Sequence, residues 1–440
     1  MRSQWSNEVA ETFKGVDLLV YASQTIGSNQ DLVLWGGGNS SMKGEILDHV
    51  GRKVRVLWIK GSGSDMRTIT SKQFTPLRLD ELLALWNRKE MFDEDMVAYQ
   101  AKCVLDATAP KPSIETLLHA FLPPPHVYHT HADAICTLTD TSDSFKLIQT
   151  IYGDDVAVIP YIRPGFLLAK QVGETYRQYP KLRAIILDKH GLVTWGDSPR
   201  SAYLKTIKMV SESERFISGR IRGSSSKHPR REGIRLLGTR RSRAVQLLPV
   251  LRGAISKYKR MLITYDGSDS VMAFIDDPRA QQLSQIGPFT PDHLIHTKPK
   301  PLFLQLQKES TARGIGQIVK KAVGNYEKEY IKYFKRYKSS GVTMLDPTPR
   351  IILVPGVGLF TTGKDRRAAR IAHDLYCHTM NVILAASAID SYASISSKEM
   401  CDFEYWPMEN YKLPLAPPEK ELSRRIALVT GAAGAIGRSI

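Results

Sequence analysis

Three histidines have the side-chain type and spacing expected of ligands to one divalent ion. His129 and His131 are two residues apart, and Val127 and Tyr128 before them favour a β-strand, on which alternate side chains point to the same face. His190 follows an apolar run and precedes a glycine, a strand-end position from which a side chain can reach into a cleft. Three neutral imidazoles suit zinc or a similar divalent ion and leave one coordination position for water or substrate. The sequence therefore predicts a catalytic metal site.

A carboxylate upstream of these histidines is a candidate acid/base. The run Pro112-Ser113-Ile114-Glu115 predicts a helix start, with Ser113 as the cap and Glu115 in the first turn. Glu115 then has two interpretations: favourable placement at the positive end of the helix dipole, or a general base that moves a substrate proton beside the metal. The residues alone leave both open. His119, four residues on, is interpreted as a packed helical histidine.

Two glycine-rich turns precede the histidine motif. Residues 35–41 (WGGGNSS) and 60–65 (KGSGSD) each follow an apolar strand and carry hydroxyl or amide donors. Turns of this composition let backbone N–H groups close around an anion, although each is also compatible with an ordinary hairpin turn. Their pairing upstream of the histidines favours a phosphate site.

These motifs lie on a repeated α/β pattern. Short apolar runs alternate with segments of helical periodicity from residue 1 to about 220, and the same pattern of alternation occurs from about 246 to 415. The segment PHVYHTH, at positions 125–131, has a counterpart in DHLIHTK, at positions 292–298, and the same offset separates AIILDKHGL (184–192) from IILVPGVGL (351–359). The later stretch has Lys298 and Val357 in place of His131 and His190. The repeat predicts a degenerate second copy that lacks the metal site.

A motif typical of dinucleotide-binding domains occurs at residues 424–437 (RRIALVTGAAGAIG). It predicts an apolar strand, a glycine turn and a helix start, and it resembles the opening of a short-chain dehydrogenase domain. Gly431, Ala435 and Gly437 are predicted to begin an NAD(P) site, with Ala435 in place of the middle glycine. The sequence contains no Tyr-x-x-x-Lys pair, and no ribose contact follows the turn. We expect an incomplete, truncated Rossmann start without dehydrogenase activity.

Composition limits the remaining classes. The 440 residues are 42% hydrophobic and 24% charged, as in ordinary globular proteins, and the net charge of +17 suits anionic substrates. The basic stretch 220–243 is interpreted as a solvated linker, not a nucleic-acid site. The sequence shows no leader peptide and no apolar run near 18 residues, so we expect a cytoplasmic protein without membrane contact. Four cysteines are too few and too scattered for a disulfide framework.

Taken together, five ordered motifs resemble the class II aldolase and adducin head family over roughly residues 10–220. The repeated module followed by a dehydrogenase start looks like the bacterial bifunctional aldolase/short-chain dehydrogenase fusions linked to rhamnulose 1-phosphate. The motifs are the glycine turn ending at Asn39 and Ser41, Lys60-Gly61-Ser62, Ser113-x-Glu115, His129-x-His131 and His190-Gly191-Leu192.

The resemblance implies a fold, a reaction and a set of site residues. It implies a three-layer α/β/α domain that cleaves a ketose 1-phosphate reversibly to dihydroxyacetone phosphate and an aldehyde such as lactaldehyde. A homo-oligomer is also implied. Zinc would be bound by the three histidines, and Glu115 would be the acid/base. The phosphate would contact four residues: Asn39, Gly61, Ser62 and Ser113.

Three hypotheses of function follow from this resemblance. The first is a metal-dependent aldolase, which glutamate at position 115 favours. The second is a metal-dependent epimerase or dehydratase of the same family, and the third is a non-catalytic module like the adducin head, whose members lack the metal ligands. The predicted domains are residues 1–222 for the aldolase domain, 223–245 for the basic linker, 246–415 for the degenerate copy and 416–440 for the dehydrogenase start.

Overall fold

The computed structural model of the chain describes residues 1–223, 240–306, 312–410 and 419–439. Two compact units are present: the first comprises Met1–Lys227, Leu283–Ile295 and His378–Tyr411, and the second comprises His228–Gln282, His296–Cys377 and Lys412–Ile440. Most of the predicted basic linker, residues 224–239, lies outside the described residues, and residues 240–245 belong to a helix.

These units differ from the linear division that the sequence suggests. Residues 283–295 and 378–411 fall in the predicted second copy, but they fold with the first unit. Local contacts explain the exchange: Lys189 donates from Nζ to the carbonyl oxygen of Ala393 at 3.3 Å, and Asp133 pairs with His378 at 2.6 Å. The periodicity of the sequence does not reveal that later segments of the chain fold back into the first unit.

A seven-stranded mixed sheet forms the centre of the first unit. Its order is β3-β2-β1-β4-β7-β6-β5, and every neighbouring pair is antiparallel except β5 and β6, which are parallel. The strands are β1 (Asn39–Leu47), β2 (Lys53–Lys60), β3 (Phe74–Arg78), β4 (His126–Thr130), β5 (Val156–Ile159), β6 (Ala184–Leu187) and β7 (Gly191–Gly196).

Helices cover both faces of this sheet, which gives the three-layer α/β/α arrangement. The α-helices before the first gap are α1 (Asn7–Ala10), α2 (Gly15–Gly27), α3 (Leu79–Ala84), α4 (Asp93–Cys103), α5 (Thr116–Phe121), α6 (Asp133–Thr139), α7 (Ser144–Tyr152), α8 (Phe166–Gln178) and α9 (Pro199–Gly223). Ile186 and Leu192 pack in one apolar cluster with α2, α6, α7 and α9. Ile185 and Val193 pack in another with α3, α4, α5 and α8. Because neighbouring residues of a strand face opposite sides, both faces of these apolar strands are buried.

The second unit contains a four-stranded sheet with the order β8-β11-β10-β9. Its strands are β8 (Leu262–Asp266), β9 (Leu302–Phe303), β10 (Ile351–Val354) and β11 (Gly358–Gly363). The helices described after residue 240 are α10 (Arg240–Ile255), α11 (Asp269–Ile275), α12 (Ala280–Leu283), α13 (Leu294–Thr297), α14 (Ala312–Tyr337), α15 (Arg366–Ile389), α16 (Ser397–Glu404), α17 (Pro407–Asn410) and α18 (Ala435–Ser439). Helices α16 and α17 belong to the first unit, and α12, α13 and α15 cross a unit boundary along the chain.

The internal repeat is visible in a hairpin and the helix that follows it. Strands β10 and β11 follow β6 and β7 at the offset found in the sequence, and α15 starts at that same offset from the start of α9. Both hairpin turns contain a residue with positive φ at the same place, Lys189 (φ 53°) and Gly356 (φ 71°). The order β8-β11-β10-β9 also repeats β4-β7-β6-β5, including the parallel outer pair. The chain therefore has a second aldolase-like sheet in which Val357 takes the turn position of His190.

One part of the predicted repeat is wrong. The segment 292–298, predicted as the counterpart of the His-x-His strand, lies on a 3₁₀ turn (Pro291–His293) and helix α13. In the second sheet, β8 takes the place that β4 has in the first, because β8 pairs with β11 and β4 pairs with β7. Tyr265 on β8 therefore lies opposite Phe360, at the position that His129 on β4 has opposite Val193. Proline does not explain the difference, because Pro124 stands at the position that matches Pro291 and β4 still begins two residues later.

The predicted strand near the end of the chain is not formed among the described residues. Ile426 and Leu428 have no strand partner and are 70% and 93% exposed. The glycine turn and helix start are present, with Gly431 at φ 63° and α18 beginning at Ala435. A strand needs a neighbour with which to exchange backbone hydrogen bonds, and the described residues supply none here.

Two further observations concern the composition of the fold. Within the described residues, no helix has the length and apolar character needed to cross a membrane. The four cysteines are unpaired, and Cys103, Cys136 and Cys401 are buried while Cys377 is partly buried. They therefore act as small apolar side chains in the core or near it.

The core of the second sheet supplies a first test. Phe360 on β11 is fully buried and its ring lies 5.2 Å from that of Tyr265. We expect Phe360→Ala to destabilise the second unit by about 3–5 kcal/mol because it removes a buried aromatic ring and leaves a cavity. Urea unfolding followed by circular dichroism measures the change. Val245→Ala, at a residue that is 61% exposed, is the control. Equal midpoints for both variants would contradict this packing.

Candidate metal centre

Three imidazoles meet at one end of strands β4 and β7. His129 is on β4, His131 directly follows β4, and His190 is on the turn between β6 and β7. Because β4 pairs with β7, with Thr130 opposite Leu192, the hairpin turn lies beside the end of β4. The ring centroids are 4.8 to 5.1 Å apart, and one ligand atom from each ring lies within 4.8 Å of the others. The structure thus brings the three predicted histidines together.

The chemistry of these rings fits a divalent ion. Their residues are 0%, 8% and 2% exposed, and burial lowers the pKa of His129 to about 4 and those of His131 and His190 well below the ordinary value. The rings are therefore neutral near pH 7, as metal ligands must be. His129 donates from Nδ1 to the carbonyl oxygen of Leu192 at 3.2 Å, which leaves its Nε2 lone pair directed at the other rings.

Glu115 lies against the same cluster. Its Oε1 is 3.5 Å from Nε2 of His129 and 3.7 Å from Nε2 of His190, and Asn39 donates from its side-chain amide to Oε2. The predicted helix start is two residues too early, because α5 begins at Thr116 and Glu115 is the residue before it. Ser113 accepts from the Glu115 amide at 3.2 Å, so a turn precedes the helix. Glu115 is thereby aimed at the imidazoles.

Both glycine turns lie close to the imidazoles or to each other. A Cβ atom on Gly37 would lie 3.2 Å from Nδ1 of His131, and one on Gly36 would lie 3.4 Å from the backbone of Gly63. Lys60, which is 2% exposed, donates to the carbonyl oxygens of Gly36 at 2.9 Å and Ser64 at 2.8 Å. A buried ammonium group therefore joins the two turns beside the metal centre, a role that the sequence did not indicate for Lys60.

The predicted phosphate residues occupy this region in different ways. Asn39 begins β1 opposite His129, and Ser113 precedes α5. The backbone N–H groups of Gly61 and Ser62 donate to the carbonyl oxygens of Gln73 and Lys111, each at 2.8 Å. These two N–H groups are therefore engaged by neighbouring backbone, and the assignment of Gly61 and Ser62 to a phosphate site stays a prediction.

One carboxylate at the centre is absent from the set of residues predicted from the sequence. Asp292 Oδ2 lies 3.3 Å from Nε2 of His131 and 3.8 Å from Nε2 of His190. It belongs to the first unit through residues 283–295. In the sequence, the segment 292–298 is recognised only as the degenerate counterpart of the His-x-His segment at 125–131. No periodicity identifies a short 3₁₀ turn as part of a distant site.

Two other groups of potential ligands are explained by ion pairs. His373 contacts Asp374 through Nδ1 at 3.0 Å and Asp266 through Nε2 at 2.8 Å. The hydrogen bond to Asp374, with Cys377 also nearby, raises the pKa of His373 to about 11, which favours the protonated ring and its ion pairs. Asp31, Asp133 and His378 form the other group, in which Asp133 and His378 are directly hydrogen-bonded.

Comparison with known families identifies the domains. Residues 17–214 match the family model of the class II aldolase and adducin N-terminal domain, and residues 242–413 match that of the aldolase class II second domain. The chain therefore belongs to the class II aldolase and adducin family by both of its domains. His129, His131, His190 and Glu115 lie in the first match, and Asp292 lies in the second.

Individual relatives are also known. A Bacillus subtilis (strain 168) protein named uncharacterized oxidoreductase YuxG is 41% identical over 98% of this chain, and the chain spans 63% of that protein's length. The N-terminal class II aldolase domain of a conserved Thermoplasma acidophilum protein is 44% identical, with a TM-score of 0.46, over 49% of this chain and 99% of that chain. A sugar-phosphate aldolase from Thermotoga maritima is 16% identical, with a TM-score of 0.36, over 50% of this chain and 99% of that chain.

Close packing around Gly191 supplies a second test. A Cβ atom there would lie 2.4 Å from the carbonyl oxygen of Thr130 and 3.1 Å from ring atoms of both His129 and His131. We expect Gly191→Ala to separate the imidazoles and to lower zinc affinity by at least about tenfold, the loss typical of disturbed ligand positioning. Competition with a chromophoric chelator measures the affinity. Gly219→Ala, where nothing lies within 4 Å, is the control, and equal affinity in both variants would refute the geometry.

Proposed function

We propose that the chain is a zinc-dependent class II aldolase that cleaves a ketose 1-phosphate, such as rhamnulose 1-phosphate, to dihydroxyacetone phosphate and an aldehyde such as lactaldehyde. One observation carries the proposal: three buried, neutral imidazoles share a centre with Glu115, whose Oε1 lies 3.5 Å from Nε2 of His129. His129, His131 and His190 would hold the ion. When bound, it would polarise the substrate oxygens and stabilise the negative charge that develops as the carbon–carbon bond breaks.

Glu115 is the proposed acid/base. Its Oε2 accepts the hydrogen bond from Asn39, which fixes the carboxyl group and leaves Oε1 towards the centre. In the cleavage direction, the bond between C3 and C4 breaks, its electron pair stays on the ketone fragment, and the C4 hydroxyl gives its proton to solvent water as the aldehyde forms. Glu115 would return a proton to the ketone fragment at the carbon that lost its partner. In synthesis the same carboxylate would remove that proton.

The phosphate group would bind between the glycine turns and the start of α5. Asn39, Ser62 and Ser113 would supply polar side chains, and Gly61 lets the turn pack against Pro110, where a Cβ atom would lie 2.6 Å from the proline ring. The charge of buried Lys60 favours an anion nearby. This arrangement supports a phosphorylated substrate over a neutral sugar.

An incomplete NAD(P) site is a separate part of the proposal. Gly431, Ala435 and Gly437 would begin it, and the B. subtilis relative is named an oxidoreductase. We also propose that the chain assembles as a homo-oligomer, which light scattering tests directly. Neither proposal affects the aldolase chemistry assigned to the first domain.

Removal of the ion tests the metal requirement. We expect chelated protein to lose release of dihydroxyacetone phosphate in a coupled assay and to recover it with zinc. His131→Ala should lose both the ion and activity because it removes a ligand. Lys298→Ala should retain both, because Lys298 belongs to the second unit, where its Nζ lies 3.6 Å from the ring centroid of Tyr330. Loss of the ion in Lys298→Ala with a normal melting temperature would oppose the assignment.

Glu115→Gln tests the acid/base. We expect kcat to fall by about 10²–10⁴-fold because the amide cannot exchange the proton, with close to one equivalent of metal still bound. Glu94→Gln, at an exposed residue of α4, is the control. Several ketose 1-phosphates should be assayed, each also for epimerised and dehydrated product. Turnover without carbon–carbon cleavage would favour the epimerase or dehydratase hypothesis, and absence of bound metal would favour the non-catalytic module.

A further inference from the structure

Asp292, a residue of the second family domain, also lies against the imidazole cluster. Asp292 Oδ2 lies 3.3 Å from Nε2 of His131 and 3.8 Å from Nε2 of His190, and its side chain is 32% exposed. Asp292 lies in the stretch 242–413 matched by the second-domain model, but it folds within the first unit. Nothing in the motif set of the first domain includes it.

The spacing of these atoms is that of ligands around one ion. Two donor atoms that are each about 2.1 Å from an ion, and about 90–110° apart, are separated by about 3–3.5 Å. Nε2 of His129 and Nε2 of His131 are 3.0 Å apart, and Asp292 Oδ2 is 3.3 Å from the latter. The aspartate oxygen therefore lies at ligand spacing from His131 and slightly farther, at 3.8 Å, from Nε2 of His190.

The carboxylates around the imidazoles also favour a bound cation. Glu115 Oε1 and Asp292 Oδ2 lie 3.7 and 3.8 Å from the same nitrogen, Nε2 of His190. Two carboxylates and three neutral imidazoles thus converge, all as electron-pair donors, in a largely buried space. A divalent ion among these groups would attract both carboxylates, in addition to the hydrogen bonds that they accept from Asn39 and Thr290.

The local structure holds Asp292 in this orientation. The Thr290 hydroxyl donates to Asp292 Oδ2 at 3.3 Å, and Pro291 begins the 3₁₀ turn. On either side, Phe289 and His293 are buried and their rings are 4.7 Å apart. A hydrogen bond to a ligating carboxylate is a common supporting contact in metal sites. The two buried rings fix the turn, and the hydroxyl fixes the carboxylate.

We propose that Asp292 is a direct ligand of the divalent ion, so that the second family domain supplies part of the metal centre of the first. This inference rests on the proposed metal site. Glu115 approaches from the side of His129 and is held by Asn39, whereas Asp292 approaches from the side of His131 and is partly exposed. Asp292 is the carboxylate that an incoming substrate oxygen can more easily replace.

Metal binding by the full chain tests the inference. Wild-type protein should bind one equivalent of zinc, and Asp292→Asn should bind it at least about tenfold more weakly because it loses a charged ligand. With Co²⁺ in place of zinc, the visible spectrum of Asp292→Asn should also change, because that spectrum reports the ligand set. Asp154→Asn, at an exposed residue away from these contacts, should match wild type in both measurements.

The outcomes separate the two proposals. If wild type binds no ion, or if His131→Ala keeps it, the metal site of the proposed function fails. If wild type binds the ion and His131→Ala loses it, but Asp292→Asn has the affinity and Co²⁺ spectrum of wild type, only the role of Asp292 is overturned. Should Asp292→Asn not fold by circular dichroism, Thr290→Val carries the test. It removes only the hydroxyl donor, so unchanged affinity and an unchanged spectrum would overturn the inference.

Discussion

The site depends on a set of buried electron-pair donors that face one another. Backbone pairing enforces this: β4 and β7 are locked in register, so the end of one strand and the turn before the other bring their imidazoles together. Burial keeps the rings neutral, and the carbonyl of Leu192 directs the Nε2 lone pair of His129 inward. Left alone, such donors repel each other, so the fold keeps an arrangement that a cation makes favourable.

Much of this centre was predictable because it follows from local rules. Alternation along a strand places His129 and His131 on one side, and a turn after an apolar strand lets the His190 side chain reach the same centre. The constant offset between the two copies also anticipated the second hairpin and its helix, since equal spacing of strand, turn and helix reflects equal local geometry. The three layers follow from apolar runs that are buried on both faces of the sheet.

The errors came where tertiary contacts outweigh local pattern. A 3₁₀ turn and helix α13 lie where a strand was expected at residues 292–298, and they place a carboxylate at the centre. Residues 426–429 have strand composition but no partner within the described chain. The amide groups of Gly61 and Ser62 donate to the backbone of Gln73 and Lys111, which the glycine-turn pattern did not indicate. Each case required knowledge of which distant segment lies next to the residue.

The two hairpin turns share one backbone conformation although only one of them carries a histidine. Lys189 and Gly356 share a left-handed backbone conformation, and the following residue is His190 in one hairpin and a fully buried valine, Val357, in the other. In each, the amide of that residue donates to the last residue of the preceding strand, at 3.1 and 3.0 Å. The backbone path thus survives exchange of an imidazole for an apolar side chain. At this hairpin the two copies of the module differ in side-chain chemistry while the main chain follows the same path.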